Sequence, residues 1–292
     1  MRGILRKDHI LAPYTSWKIG GVAHYFYEPQ NRSDLISFLQ NWRENPIVIL
    51  GAGTNILVSD KGVEATVVYL REKINDLQFL DEQTIYVEAG VPLSRLVSLC
   101  AEHGMEDAMF LTGIPGTVGG ALAMNAGAYE DSIWNHVLSV ETVDRSGTVH
   151  ERMAKDFQIG YRHAVIPDGE WFISANLNFP VATPKKAREK MLDILAKRRS
   201  SQPLDLPSCG SVFRNPPNDY AARLIEACSL KGRRLGGAEV SLKHANFILN
   251  LGGATSQNIE DLMNLITTEV HSKHGILLVP EVRILEKTGK WR

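Results

Sequence analysis

GIPGTVGGALAMNAGAY, residues 113–129, carries more information about this chain than any other stretch. It holds five glycines and a proline among small and apolar residues, a composition too apolar for a flexible linker. Glycine is the costliest residue to order, and it lets a backbone come closest to a neighbour. A glycine run in apolar company therefore marks a place where backbone N–H groups approach something bulky, and phosphate is their usual guest. A second glycine loop, LGAGTN, occupies residues 50–55. Two such runs in one chain point to a long diphosphate ligand gripped from two sides, hence to a dinucleotide cofactor.

The shorter loop is not a Rossmann fingerprint. Ile56 stands where the third glycine would fall, no acidic ribose partner follows at the usual offset, and there is no GK[ST] to make a phosphate loop of the nucleotide-hydrolase type. Taken with residues 113–129 and with SWKIGG (residues 16–21), it points to flavin adenine dinucleotide.

The chain has 292 residues, a formal net charge of -1 and 44% hydrophobic residues. That is too long for one small core, so two or three domains are expected. A net charge near zero argues against nucleic acid as the main partner. No apolar run approaches the ~20 residues that cross a bilayer, so no membrane partner is expected. The opening residues MRGILRKDHILAPY carry Arg2, Arg6, Lys7 and Asp8 and lack the apolar core of a signal peptide. Cys100, Cys209 and Cys228 are too scattered for a disulfide framework or a metal site, and a reducing cytoplasm fits them best. His271 and His274 are helically spaced but have no third ligand nearby, so no metal is expected.

Along the chain, NRSDLISFLQNW (residues 31–42) predicts a helix with Ser33 as its N-cap. Strand, glycine turn and strand follow in 46–58, with a further strand at 65–70. Pro92 marks a helix start and Gly104 its end. The alternation in 137–153 predicts two strands about a turn at Ser146 and Gly147. Residues 171–180 read as a strand, 184–203 and 220–230 as helices, 244–254 as containing a strand, 258–276 as a helix stopped by Gly275, and 277–285 as a final strand. Strands and helices alternate without a regular βαβ cadence, so the expected class is α+β. The expected division is three lobes: 1–71, with 280–292 returning to it; 72–200; and 201–279.

Seven motifs then fall in one order: TSWKIGG (residues 15–21), LGAGTNILV (50–58), residues 113–129, GYRHA (160–164), CGSVFRNP (209–216), HANFILN (244–250) and PEVRIL (280–285). Carrying them, the chain resembles the UDP-N-acetylenolpyruvoylglucosamine reductases almost end to end, in the shorter form of that family without an inserted tyrosine-bearing loop. It departs from the family pattern at Tyr14 and Glu130. The resemblance implies a vanillyl-alcohol-oxidase-type FAD fold of two lobes plus a C-terminal substrate-binding domain. It also implies NADPH as co-substrate and a UDP-sugar enolpyruvyl ether as substrate, in the synthesis of peptidoglycan precursors, with no obligatory protein partner. The first loop has Thr54 and Asn55 where some members of the superfamily carry a flavin-linking histidine, so the FAD is expected to be non-covalent.

On the glycine loops, the candidate FAD contacts are Gly51, Ala52, Gly53, Thr54, Asn55, Gly113, Pro115, Gly116, Gly119, Gly120, Asn125 and Gly127. By resemblance, Ser211 is the expected proton donor, Arg162 the partner of the substrate carboxylate, and Glu281 its companion. A serine hydroxyl is a weak acid, but a strongly basic carbon takes its proton if geometry is held. A planar, permanently charged guanidinium suits a carboxylate that gains charge. Arg214, Asn215 and Asn246 are the expected substrate contacts, Arg214 as a phosphate ligand. Two rival readings stay open at this level: another FAD-dependent oxidase of the same fold, and a non-catalytic nucleotide-binding protein.

Overall fold

The computed structural model describes residues 2–44 and 46–292. The chain forms two compact units, and each is assembled from three separate segments. The first unit is Met1–Arg6, Phe26–Ala52 and Val67–Arg198; the second is Lys7–Tyr25, Gly53–Thr66 and Arg199–Arg292. The cores follow this division. Leu35, Phe38 and Leu39 from the expected first lobe share one interior with Val143 and Ile173 from the expected second. Trp17, Ile19 and Leu57 are instead buried with Phe213, Leu224, Ile248 and Leu262 of the C-terminal region.

The first unit is built on a five-stranded antiparallel sheet. Its order is Val149–Met153, Val137–Asp144, Glu170–Asn178, Thr84–Glu88 and Leu77–Phe79. The Ser146–Gly147 turn is held by Asp144, whose Oδ1 accepts the N–H groups of Ser146 and Thr148 at 2.8 and 3.0 Å. The helix Leu93–Glu102 starts after Pro92 and buries Leu93, Leu96, Val97, Cys100 and Ala101 in the larger core.

The helix Arg32–Asn41 is capped by Asn31 rather than Ser33. The Asn31 backbone is extended, and its Oδ1 accepts the Asp34 N–H at 3.0 Å. The helix Pro184–Ser201 buries Ala187 and Ile194, and its charged residues other than Arg198 are exposed.

In the second unit, the helix Ser256–His274 turns Ile259, Leu262, Met263, Ile266 and Val270 inward, the i, i+3, i+4 spacing of a buried face. Thr255 and Asn258 form a reciprocal cap, so the helix starts ahead of the expected 258. Gly275 ends it at φ 69°, the left-handed conformation glycine adopts without penalty. Trp17 is fully buried; its Nε1–H donates to the Ile248 carbonyl at 2.8 Å, and its own carbonyl accepts from Asn250 Nδ2 at 2.8 Å.

The last strand is shorter than expected, Arg283–Leu285, and pairs in parallel with Ile56–Val58, just beyond the first glycine loop. Among the described residues no helix is long and apolar enough to cross a membrane.

Candidate active site

In the first unit, residues 113–129 are clamped along residues 89–93. The Leu93 N–H donates to the Gly116 carbonyl at 3.0 Å, and the Val118 and Gly119 N–H groups donate to the Val91 and Ala89 carbonyls, each at 2.9 Å. A Cβ on Gly119 would sit 2.8 Å from the Ala89 Cβ, so only glycine fits this crossing. Thr117 opens the short helix Val118–Ala123. A Cβ on Gly51 would lie 2.6 Å from the Thr117 Oγ1. The two glycine loops therefore meet at Thr117, as a ligand gripped from both would require.

The remaining candidate FAD contacts divide by what they touch. Gly116 is partly exposed, and Gly113, Pro115 and Gly120 are exposed along the run. Gly127 is buried and crowded by the Asp131 carbonyl, so a tight hairpin accounts for it. Asn125 is 7% exposed and its side chain is spent on the protein: Nδ2 donates to the Gly160 carbonyl at 3.0 Å and Oδ1 accepts the Trp134 N–H at 3.4 Å. The Asn125 side chain is thus tied to the segment ahead of Arg162 and to Trp134. Asn55, in the second unit, donates from Nδ2 to the Glu281 carbonyl at 3.0 Å, and its own carbonyl accepts the Arg283 N–H at 3.1 Å. Its Nδ2 is thereby tied to the segment that carries Glu281.

The structure fits a dinucleotide at these loops. The N–H groups of Ala52, Gly53 and Asn55 find no acceptor among the described residues. Thr112, at the neck of the long run, is 2% exposed with an Oγ1 that lacks a partner. A buried polar atom of this kind calls for a guest.

The bond from Asn125 to Gly160 carries the glycine run to Arg162. The strands Gln158–Gly160 and His163–Val165 pair with Gly160 opposite His163, so Tyr161 and Arg162 form the hairpin tip. Arg162 has φ 55°, which is uncommon for a side-chain-bearing residue, and its guanidinium lies 5.2 Å from the Tyr161 ring centroid. Backbone strain of this sort gathers at functional sites.

Arg198 reads from sequence as a solvated basic residue, with substrate phosphate as the lesser option. Its Nη1 donates to the Gly113 carbonyl at 3.2 Å. Burial holds its guanidinium below the usual value, with the Tyr129 hydroxyl opposing and the Arg162 charge adding to the effect. The available signal was its place in the basic end of the helix 184–201, where a solvated face is the ordinary reading.

In the second unit, residues 211–214 run between 244–247 and 279–282. The Val212 N–H donates to the Asn246 carbonyl at 2.9 Å, and the Val212 carbonyl accepts the Glu281 N–H at 2.8 Å. The Arg214 N–H donates to the Val279 carbonyl at 2.9 Å, and Phe213 bridges to Pro280. Ser211 and Glu281 are both partly exposed, in segments joined by this pairing.

Asn246 is 4% exposed; its Oδ1 accepts the Phe213 N–H at 3.0 Å and its Nδ2 donates to the Phe213 carbonyl at 2.8 Å. The amide of Asn246, an expected substrate contact, is thus buried and bonded to the protein backbone. Asn215 is exposed, with its Oδ1 accepting the Ala221 N–H at 3.1 Å; Arg214 is partly exposed. Burial and the neighbouring Glu281 carboxylate push the Cys209 thiol up, which keeps it protonated and unreactive.

A family model for an FAD binding domain matches residues 23–152, and one for the UDP-N-acetylenolpyruvoylglucosamine reductase C-terminal domain matches 202–285. The chain is 46% identical over 285 residues to the UDP-N-acetylenolpyruvoylglucosamine reductase of Methylococcus capsulatus, covering 97% of this chain and 94% of that one. The enzyme of the same name from Alkalilimnicola ehrlichii is also 46% identical, over 97% and 95% of the two chains.

The chain belongs to the UDP-N-acetylenolpyruvoylglucosamine reductase family.

The solved reductase of that name from Thermus caldophilus superposes with a TM-score of 0.82 at 31% identity, covering 97% of this chain and 99% of that chain. The fold is accordingly the α+β fold of that reductase, with an FAD-binding domain and the family's C-terminal domain. The chain is an FAD-dependent oxidoreductase of a family that works in peptidoglycan precursor synthesis.

Proposed function

We propose that this chain reduces UDP-N-acetylglucosamine enolpyruvate to UDP-N-acetylmuramate with electrons from NADPH, Ser211 supplying the proton. The flavin, when bound, supplies the two-electron chemistry between NADPH and the enolpyruvyl β-carbon. The chain's own residues handle the charge and the proton that this transfer creates. Negative charge grows on the α-carbon and the adjoining carboxylate. Arg162 pairs with that carboxylate and stabilises the added charge, and Glu281 polarises the same group. The Ser211 Oγ–H donates its proton to the α-carbon, a transfer that works only if the hydroxyl is held in place. Arg214 and Asn215 bind the nucleotide part of the substrate, and NADPH is preferred over NADH. The first loop holds the FAD without a covalent link, through the backbone of Gly51–Asn55.

The observation that carries this proposal is the bond from the Glu281 N–H to the Val212 carbonyl, which ties the segment after Ser211 to the segment bearing Glu281. Arg162, at a strained hairpin tip, supports it separately. The test is an anaerobic visible spectrum of the Ser211→Ala holoenzyme. NADPH is expected to bleach its flavin bands at the wild-type rate, and the sugar nucleotide is expected not to restore them. Restoration at the wild-type rate would remove Ser211 as the proton donor. Wild-type bands that return only when air is admitted would move the function to an oxidase.

A further inference from the structure

Ser211 stands at a joint between a free residue and a clamped one. Before it, Gly210 has φ 81°, and nothing lies within 4 Å of where its Cβ would be. After it, Val212 and Phe213 are both fully buried. Gly210 therefore does little to fix the Ser211 hydroxyl, and whatever fixes Val212 and Phe213 does most of it.

Two segments share that task. Residues 280–282 take one edge, through the Val212 carbonyl and the bridge from Phe213 to Pro280. Asn246 takes the other. Its side-chain amide exchanges both hydrogen bonds with Phe213, donor to carbonyl and acceptor to N–H, as a residue opposite Phe213 in an antiparallel ladder would. Its backbone carbonyl meanwhile accepts the Val212 N–H. One residue thus satisfies three polar groups of the two residues that follow Ser211. A side chain that could not both donate and accept would leave buried polar groups of Phe213 unpaired.

We propose that Asn246 is a positioning residue for Ser211: its side chain stands in for a missing strand and fixes the backbone that aims the Ser211 hydroxyl. This rests on the proton-donor role of Ser211 given above. The Asn246 side chain is 4% exposed and both its Oδ1 and its Nδ2 bond Phe213, so its effect falls on the rate of the proton-dependent step.

The test compares Asn246→Ala, Asn246→Asp and Ser211→Ala holoenzymes by hydrogen exchange and by separate half-reactions. In Asn246→Ala the Phe213 amide is expected to lose protection, while amides of the helix Leu93–Glu102 keep theirs. The turnover number is expected to fall roughly 10- to 100-fold, the scale of a small misplacement of a reacting group, with KM for the sugar nucleotide within about threefold. Bleaching by NADPH is expected to be unchanged. Asn246→Asp, which keeps the acceptor and loses the donor, is expected to fall between wild type and Asn246→Ala.

Faster exchange at Phe213 with turnover within about threefold of wild type would overturn the proposal. So would a raised KM at unchanged turnover number, which would make Asn246 a substrate contact. Normal turnover in Ser211→Ala would instead overturn the proton-donor role. An inert Ser211→Ala beside a fully active Asn246→Ala would overturn the positioning role alone.

Discussion

Asp34 is a carboxylate buried in the first unit, 5% exposed. Burial by itself would raise its pKa. The Tyr27 hydroxyl, at 2.6 Å, and the backbone N–H groups of Arg2 and Gln30 outweigh that and hold the carboxyl below its usual range. A depressed folded pKa stabilises the protein above the unfolded value of about 3.9, and this contribution is lost as pH falls through the folded pKa. Asp34→Asn is expected to cost about 1–3 kcal/mol in urea unfolding at pH 7. The gap to wild type is expected to narrow as pH drops below about 4, and a pH-independent gap would refute the linkage. Three asparagines show where residue-level reading stops. Asn55, Asn125 and Asn246 all sit in the motifs that carry the resemblance, and all invite a ligand role. Each spends its side chain on a backbone distant in sequence, at Glu281, Gly160 and Phe213. An amide letter states what can be donated and accepted, and only the fold states to whom.

Elements were legible where burial is periodic. The hairpin Val137–Asp144 and Val149–Met153 follows from its alternation, and the helix Leu93–Glu102 from its proline start and apolar stripe. The strand Gln158–Gly160 next to Arg162 has no buried residue, so no pattern announced it. The expected strand at 277–285 shrank because Pro280 sits at an isolated bridge to Phe213 rather than in a ladder. The crossing of the long glycine run over residues 89–93 leads to a prediction at this scale. Gly119→Ala places a methyl 2.8 Å from the Ala89 Cβ. The displacement is expected to cost about 1–3 kcal/mol of stability. It is also expected to lower the flavin content of the purified protein, read from its absorbance ratio. Full flavin occupancy at unchanged melting temperature would mean the crossing has slack.

At the scale of the molecule, apolar patterning identified what is buried but not with whom. Trp17, Ile19 and Leu57 complete a core whose other members begin at Cys209, far from them in sequence. A fragment of residues 199–292 would lack those three side chains. It is expected to be unfolded, without dispersed amide resonances or a cooperative melt, although it contains a whole matched family domain. A cooperative melt of that fragment would show that the core closes without them.

The same interleaving has a consequence for biosynthesis. Lys7–Tyr25 and Gly53–Thr66 emerge from the ribosome well before Arg199–Arg292, with which they share a unit. At ~5–20 residues per second, those early segments wait on the order of ten seconds or more before their partners exist. The second unit can therefore close only after Arg199–Arg292 have left the ribosome, and until then Trp17 and Leu57 are surfaces that a nascent-chain chaperone would meet.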